Sequence, residues 1–501
     1  MVSISWNRSA LAVALLALLG LAAAPPPAAA AVFFVTKTAD TLDGACDADC
    51  SLREAIVAAN ALPGADVIVL GAGTYTLTRA GAGEDAAATG DLDVTGDLSI
   101  LGAGAASTVL DGGLLDRVLD VAAGVRLEMV GVTVHGGKVA DVGGGIRNAG
   151  TLVLTRCAVS GNTTTGGAGG GIWSDAAGSA LAITASTISG NTAAGNGGGI
   201  AAGGTMTLAD ATVSGNASST GAGGGLYLFA EISATIDNAT ITANTAAHPG
   251  GGAFVEGAPF ISDHRAEFRN TIVAANGAPS QPDCSGSAFS GGYNLIGDGN
   301  GCSDFKSATH DQEGTAPALL DPRLGPLAQN GGPTLTHALL PTSPAVDAGD
   351  PDPAGSGGQS CEALDQRGQP RPGRCDVGAF ELGEGCAPGP VALCLSKSRF
   401  QVTVAWRTPQ GQSGNGQAVP LSADSGYFWF FDPANVELTV KVLDACGPFG
   451  RFWVFLSGLT NVQVDVTVFD TVSGYTRVYH NPQKTVFQTK LDTDAFETCG
   501  L

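Results

Sequence analysis

Residues 169–200 read Gly169-Gly-Gly-Ile-Trp-Ser-Asp-Ala-Ala-Gly-Ser-Ala-Leu181-Ala-Ile-Thr-Ala-Ser-Thr-Ile188-Ser-Gly-Asn191-Thr-Ala-Ala-Gly-Asn-Gly197-Gly-Gly-Ile200. The stretch opens and closes on one glycine triplet. The triplet recurs at Gly143-Gly-Gly-Ile146, Gly223-Gly-Gly-Leu226 and Gly250-Gly-Gly-Ala253, with successive copies 26, 28, 26 and 27 residues apart. Between triplets runs a second mark that ends in asparagine: Val159-Ser-Gly-Asn162, Ile188-Ser-Gly-Asn191, Val213-Ser-Gly-Asn216, Ile241-Thr-Ala-Asn244 and Val273-Ala-Ala-Asn276. The intervening segments are short, alternating and rich in Val, Ile and Thr, as strands are. Each repeat holds two or three such strands and cannot bury its own apolar face, whereas stacked copies form a continuous core. The period fits one coil of a right-handed parallel β-helix, with coils ~4.8 Å apart. The aligned asparagines then read as a side-chain hydrogen-bond ladder. Cys157, in Leu152-Val-Leu-Thr-Arg-Cys157, falls on an apolar strand position and reads as a buried free thiol, the odd one of 11 cysteines.

Composition agrees with a folded, exported chain. The 501 residues are 44% hydrophobic and only 14% charged, which excludes disorder, and the 74 glycines follow no Gly-X-Y period, which excludes collagen. Residues 1–30 resemble a secretory leader: Arg8, an apolar run from Leu11 to Ala23 too short to span a bilayer, and Ala28-Ala29-Ala30 as a peptidase site. No later run is long enough for a membrane helix, so the mature chain is expected outside the cell or on its surface. The net charge of −22 repels nucleic acid and, unless cations mediate, acidic polysaccharides. Cysteines in an exported chain point to disulfides.

A solenoid needs covered ends. Upstream, Ser51 and Glu54 form a capping box for a short amphipathic helix that Pro63-Gly64 stops, and Cys46 and Cys50 are placed to clip the loop before it. Arg53 and Glu54 are expected to form a helix-end ion pair. Local loops suggest the pairs Cys284 with Cys302 and Cys361 with Cys375. Cys386, Cys394, Cys446 and Cys499 leave three connectivities open.

Several motifs carry a family resemblance. Cys50-Ser-Leu-Arg-Glu-Ala-Ile56 resembles the CSLREA motif of exported bacterial β-helix proteins, and Gly90-Asp-Leu-Asp-Val-Thr-Gly-Asp-Leu-Ser-Ile100 and Val109-Leu-Asp-Gly-Gly113 resemble its first coils. Asn294-Leu-Ile-Gly297, Asp321-Pro-Arg-Leu-Gly-Pro-Leu327, Asn330-Gly-Gly-Pro-Thr334, Ser343-Pro-Ala-Val-Asp-Ala-Gly349, Asp365-Gln-Arg-Gly368 and Cys375-Asp-Val-Gly-Ala-Phe-Glu381 are similar to the choice-of-anchor Q domain. The resemblance covers about residues 33–382 and implies a pectin-lyase-like β-helix of surface and secreted proteins. It implies no single activity. The expected organisation is a signal peptide at 1–30, a cap at 31–64, the β-helix at 65–382 and a further module at 386–501.

In that last module the glycine repeats stop and aromatics gather, 16 of the 30 in the chain lying beyond Glu381. Alternating segments such as Arg399-Phe-Gln-Val-Thr-Val-Ala-Trp406 and Val462-Gln-Val-Asp-Val-Thr-Val468, separated by turn signals, predict an antiparallel β-sandwich.

Chemistry is sparse. A glycosidase needs two facing carboxylates, and the Asn-Thr-Asp, Asp-Asp, Gly-His-Gly and Arg-Ile-Lys motifs of polygalacturonases are absent. The nearest lyase-like group, Asp263-His264-Arg265 with Glu256 and Glu267, reads as a solvated loop. Asp91, Asp93 and Asp97 suit an exposed strand face, and neither a metal nor a cofactor is assigned. The informative pattern is an outward column. If Ile146, Ile172, Ile200, Leu226 and Ala253 point inward, their successors Arg147, Trp173, Ala201, Tyr227 and Phe254 point outward, joined two residues on by Asp175, Phe229 and Glu256. Aromatics stepping up a face beside carboxylates can stack on the successive sugars of a glycan, or else lie covered by a loop or by the carboxy-terminal module. The expectation is a structural, adhesive or glycan-binding protein with no catalytic residue named; the alternative is a polysaccharide lyase or glycoside hydrolase on the same scaffold.

Overall fold

The computed structural model describes residues 30–499 except 176–177, 230–231, 258–264, 303, 306–308, 384 and 387. The leader assigned to the first 30 residues falls, but for Ala30, outside the described residues. So do Asp263 and His264.

The repeats wind into a parallel β-helix. One coil runs through Ile146–Asn148, Thr151–Thr155, Ala158–Ser160 and Thr163–Thr164, and the next begins at Ile172–Ser174. Stacked coils build parallel sheets of eight, ten, ten and five strands. The fourth, five-stranded ladder goes beyond the two or three strands expected per repeat. Its strands are two residues long, too short to show an alternation in sequence. Glycine permits the turn into each coil: Gly143, Gly169, Gly197, Gly223 and Gly250 all hold φ between +67° and +77°, a left-handed conformation that a Cβ resists.

Aliphatic side chains line the inside, Ile146, Ile172, Ile200 and Leu226 being fully buried in register. The asparagine ladder is continuous. Asn162 Nδ2 donates to Asn191 Oδ1 at 3.0 Å, Asn191 to Asn216 at 3.0 Å, Asn216 to Asn244 at 2.9 Å, and Asn244 to Asn276 at 3.0 Å. Asn276 ends the run on the carboxylate of Asp283 at 2.9 Å. Cys157 is a buried free thiol whose pKa burial pushes up to about 11.

The capping helix spans Leu52–Asn60 with both halves of the Ser51–Glu54 box formed. Arg53 and Glu54 do not pair with each other, correcting the expectation. Arg53 is buried against Asp40 at 2.6 Å and the carbonyls of Ala87, Gly90 and Asp91, while Glu54 accepts from Ser51, Thr41 and Asp43. The helix axis sends the two side chains to different neighbours.

The parallel ladders end at Gln312–Glu313. Leu324–Ala328 and Thr336–Leu339 then pair antiparallel, and the chain up to residue 382 turns back as a strap along one ten-stranded face. Gln366 lies between Thr187 and Thr212, His337 reaches Ser214 at 2.8 Å, and Arg371 reaches Asp210 at 3.0 Å. Beyond it, two five-stranded antiparallel sheets enclose a core that includes Phe400, Phe428, Val440, Val454 and Val466. Disulfides join Cys46–Cys50, Cys284–Cys302, Cys361–Cys375, Cys386–Cys394 and Cys446–Cys499.

Candidate ligand-binding strip

Strand pairing places the outward residues in one file. Arg147 lies beside Trp173, Trp173 beside Ala201, Ala201 beside Tyr227, Tyr227 beside Phe254, and Phe254 beside Ser285. The structure brings all seven predicted residues together, each half-buried. Ala201 differs: it is fully buried, because Phe229 reaches back over its rung. The Phe229 ring stacks on Trp173 at 4.8 Å and on Tyr227 at 6.0 Å, and Tyr227 stacks on Phe254 at 5.5 Å. This corrects the expected stacking on sugars: ring faces meet one another along this run of four, worth ~0.5–1.5 kcal/mol per pair beyond burial. A ligand lying along the run meets ring edges and the polar groups beside them.

Those polar groups hold the rings. Trp173 Nε1 donates to Asp175 at 2.5 Å, and the Tyr227 hydroxyl donates to Glu256. Burial and then the Glu256 hydrogen bond raise the Tyr227 phenol above its ordinary pKa, keeping it a neutral donor. Arg147 bridges Asp120 at 3.2 Å and Asp175 at 3.5 Å. Burial works against its charge, but the attraction and hydrogen bonds of Asp120, with Asp175 adding to them, outweigh it and raise its pKa. A carboxylate has about four acceptor sites, so Asp175 can serve Trp173 and Arg147 and still accept from a further donor.

The file continues below the first triplet through Asp120 and Asp93, which pair in register with Arg147 and with each other. Asp120 was missed in the sequence because its coil lacks the triplet. The signal was there: Leu92-Asp-Val94 and Leu119-Asp-Val121 lie 27 residues apart, and the next copy, Ile146-Arg-Asn148, follows after another 27. Carboxylate oxygens of Asp91, Asp93 and Asp120 approach within 4.8 Å and could together hold a cation. Burial, opposed by Arg117 at 2.9 Å and reinforced by neighbouring acids, raises Asp91 to about 6. Burial, with Asp91 and Glu84 nearby, raises Asp93 to about 7. The expected exposed face is corrected here. Asp91 and Asp93 are buried, since the Ala87 N–H donates to Asp93 and draws the preceding loop over them, whereas Asp97 is exposed and accepts from the Arg126 N–H.

Arg265 pairs with Glu267 at 2.6 Å on the next ladder rather than joining the strip. A separate cleft of about 400 Å³ lies where the strap meets the sandwich, lined by Asn330, Tyr475, Arg477 and Glu497. None of the seven strip residues lines it; of the cysteines singled out in the sequence only Cys499, held in its disulfide, does.

No family model and no curated protein matches the chain. Among solved structures it is similar to ORF18 of Geobacillus virus E2, at 12% identity over 92% of this chain and 78% of that one, with a TM-score of 0.27. A likeness that loose carries no argument about fold or function.

Proposed function

We propose that the protein is exported and acts outside the cell as a β-helical rod that holds a neutral polysaccharide along the strip from Arg147 to Glu256. The observation that carries this reading is the unbroken run of Trp173, Phe229, Tyr227 and Phe254 on one face, bordered by Arg147, Asp175 and Glu256. Hydroxyl-rich, uncharged chains suit ring edges beside carboxylates, and the net charge of −22 disfavours uronates. Five disulfides support an oxidising compartment. The resemblance of residues 50–56 to the CSLREA motif and of residues 294–381 to choice-of-anchor Q domains supports a surface or secreted role.

The combined variant Trp173→Ala, Tyr227→Ala tests the proposal. Retention on insoluble neutral polysaccharide is expected to fall at least tenfold, with the far-ultraviolet dichroism unchanged; equal retention rejects the strip. The alternative, turnover by the same scaffold, is favoured by one feature, the Asp91, Asp93 and Asp120 group in line with the strip. Release of reducing or unsaturated ends from a retained polysaccharide would select it.

A further inference from the structure

We infer that the mature chain begins at Ala31, and that the α-ammonium created there is the partner of the buried carboxylate of Asp66. Asp66 opens the strand Asp66–Val69 and points to the same inner side as Ile68, with only 1% of its surface exposed. Its Oδ1 accepts the Ala31 N–H at 2.7 Å. Its Oδ2 is buried and accepts no hydrogen bond from the described residues. Among the described residues no lysine, arginine or histidine pairs with it, whereas two other enclosed carboxylates of the cap, Asp40 and Glu54, have a cation and several donors. A buried carboxylate with one neutral donor is costly to hold.

Hydrolysis of the Ala30–Ala31 amide by a peptidase that reads small residues, here Ala28 and Ala30, supplies what is missing. One water is consumed and the C–N bond breaks. The carboxylate leaves on Ala30, and the Ala31 nitrogen takes up a proton to become an ammonium with three donors. That nitrogen is already in place. The Ala31 carbonyl accepts the Val67 N–H at 2.9 Å, and Val32–Phe34 pairs in parallel with Val67–Val69. Cleavage thus turns a single neutral hydrogen bond into an ion pair at the first rung of the solenoid, which fastens the cap only after the leader is gone. The peptidase step, and with it the ion pair it creates, rests on the export reading.

The test expresses the full-length chain in a secreting bacterial host, with and without Gly-Ser inserted between Ala30 and Ala31. Amino-terminal sequencing of the secreted native protein is expected to start at Ala31. Its unfolding midpoint is expected to exceed that of the inserted form at pH 7, with the gap narrowing as pH rises past about 8, where the ammonium begins to lose its proton, and vanishing in an Asp66→Asn background. A chain that stays in the cell with its leader overturns the export reading and this inference together. A secreted chain starting elsewhere, or equal midpoints for the two forms, overturns this inference alone.

Discussion

Asn216 shows how little slack the coil interior leaves. Its Oδ1 accepts from the backbone and side-chain nitrogens of Asn191, and its Nδ2 donates to the Ile188 carbonyl and to Asn244. Asn216→Ala removes four buried hydrogen bonds, each worth ~0.5–1.5 kcal/mol net, although Asn191 Nδ2 keeps the Val159 carbonyl and Asn244 Oδ1 keeps the backbone N–H of residue 216. Chemical denaturation is expected to show a loss of at least about 3 kcal/mol; a loss below about 1 kcal/mol would mean that the ladder is ornamental. Asp93 is the opposite case, a buried acid with acids for neighbours. Its folded pKa of about 7 stands above the ordinary 3.8, so its contribution to stability is complete below about pH 4 and is lost as pH rises to about 7. Asp93→Asn keeps an acceptor for the Ala87 N–H and removes the charge. The variant is expected to melt above the native protein at pH 8 and nearly level with it at about pH 3.5; a constant gap would contradict the assignment.

At the scale of elements, the sequence marks what is local and hides what is not. Triplets and asparagines recur once per coil, so the inner face, the ladder and the outward file from Arg147 to Phe254 are all legible from spacing. The fill at Ala201 is not, because Phe229 reaches that rung from the following coil and nothing in its own strand signals the direction. Asp120 is legible in principle from its 27-residue offset to Arg147, but the glycine triplets begin one coil after it. The threonine face was out of reach. Thr187 and Thr212 sit where an exposed strand would carry threonine, yet they are buried under Gln366, 179 and 154 residues away in the chain.

The whole molecule is a rod with a strap drawn back along it. Arg371 is the buried pin of that strap, holding Asp210 on the β-helix and Glu381 at the strap's far end. Removing one partner of a buried ion pair costs ~3–5 kcal/mol, because the other charges are left uncompensated. Arg371→Ala is therefore expected to expose residues 321–382 to limited proteolysis while the coils resist it; a resistant strap would place its anchorage elsewhere. A strip, unlike a pocket, can engage a polymer over several repeats. Four coil steps separate Arg147 from Phe254, ~19 Å at ~4.8 Å each. Isothermal titration with neutral oligosaccharides of increasing length, drawn from a polysaccharide the protein retains, tests this most directly. Affinity should climb with length until the sugar spans about 19 Å and then level off. A monosaccharide binding as tightly as the longest chain would contradict it.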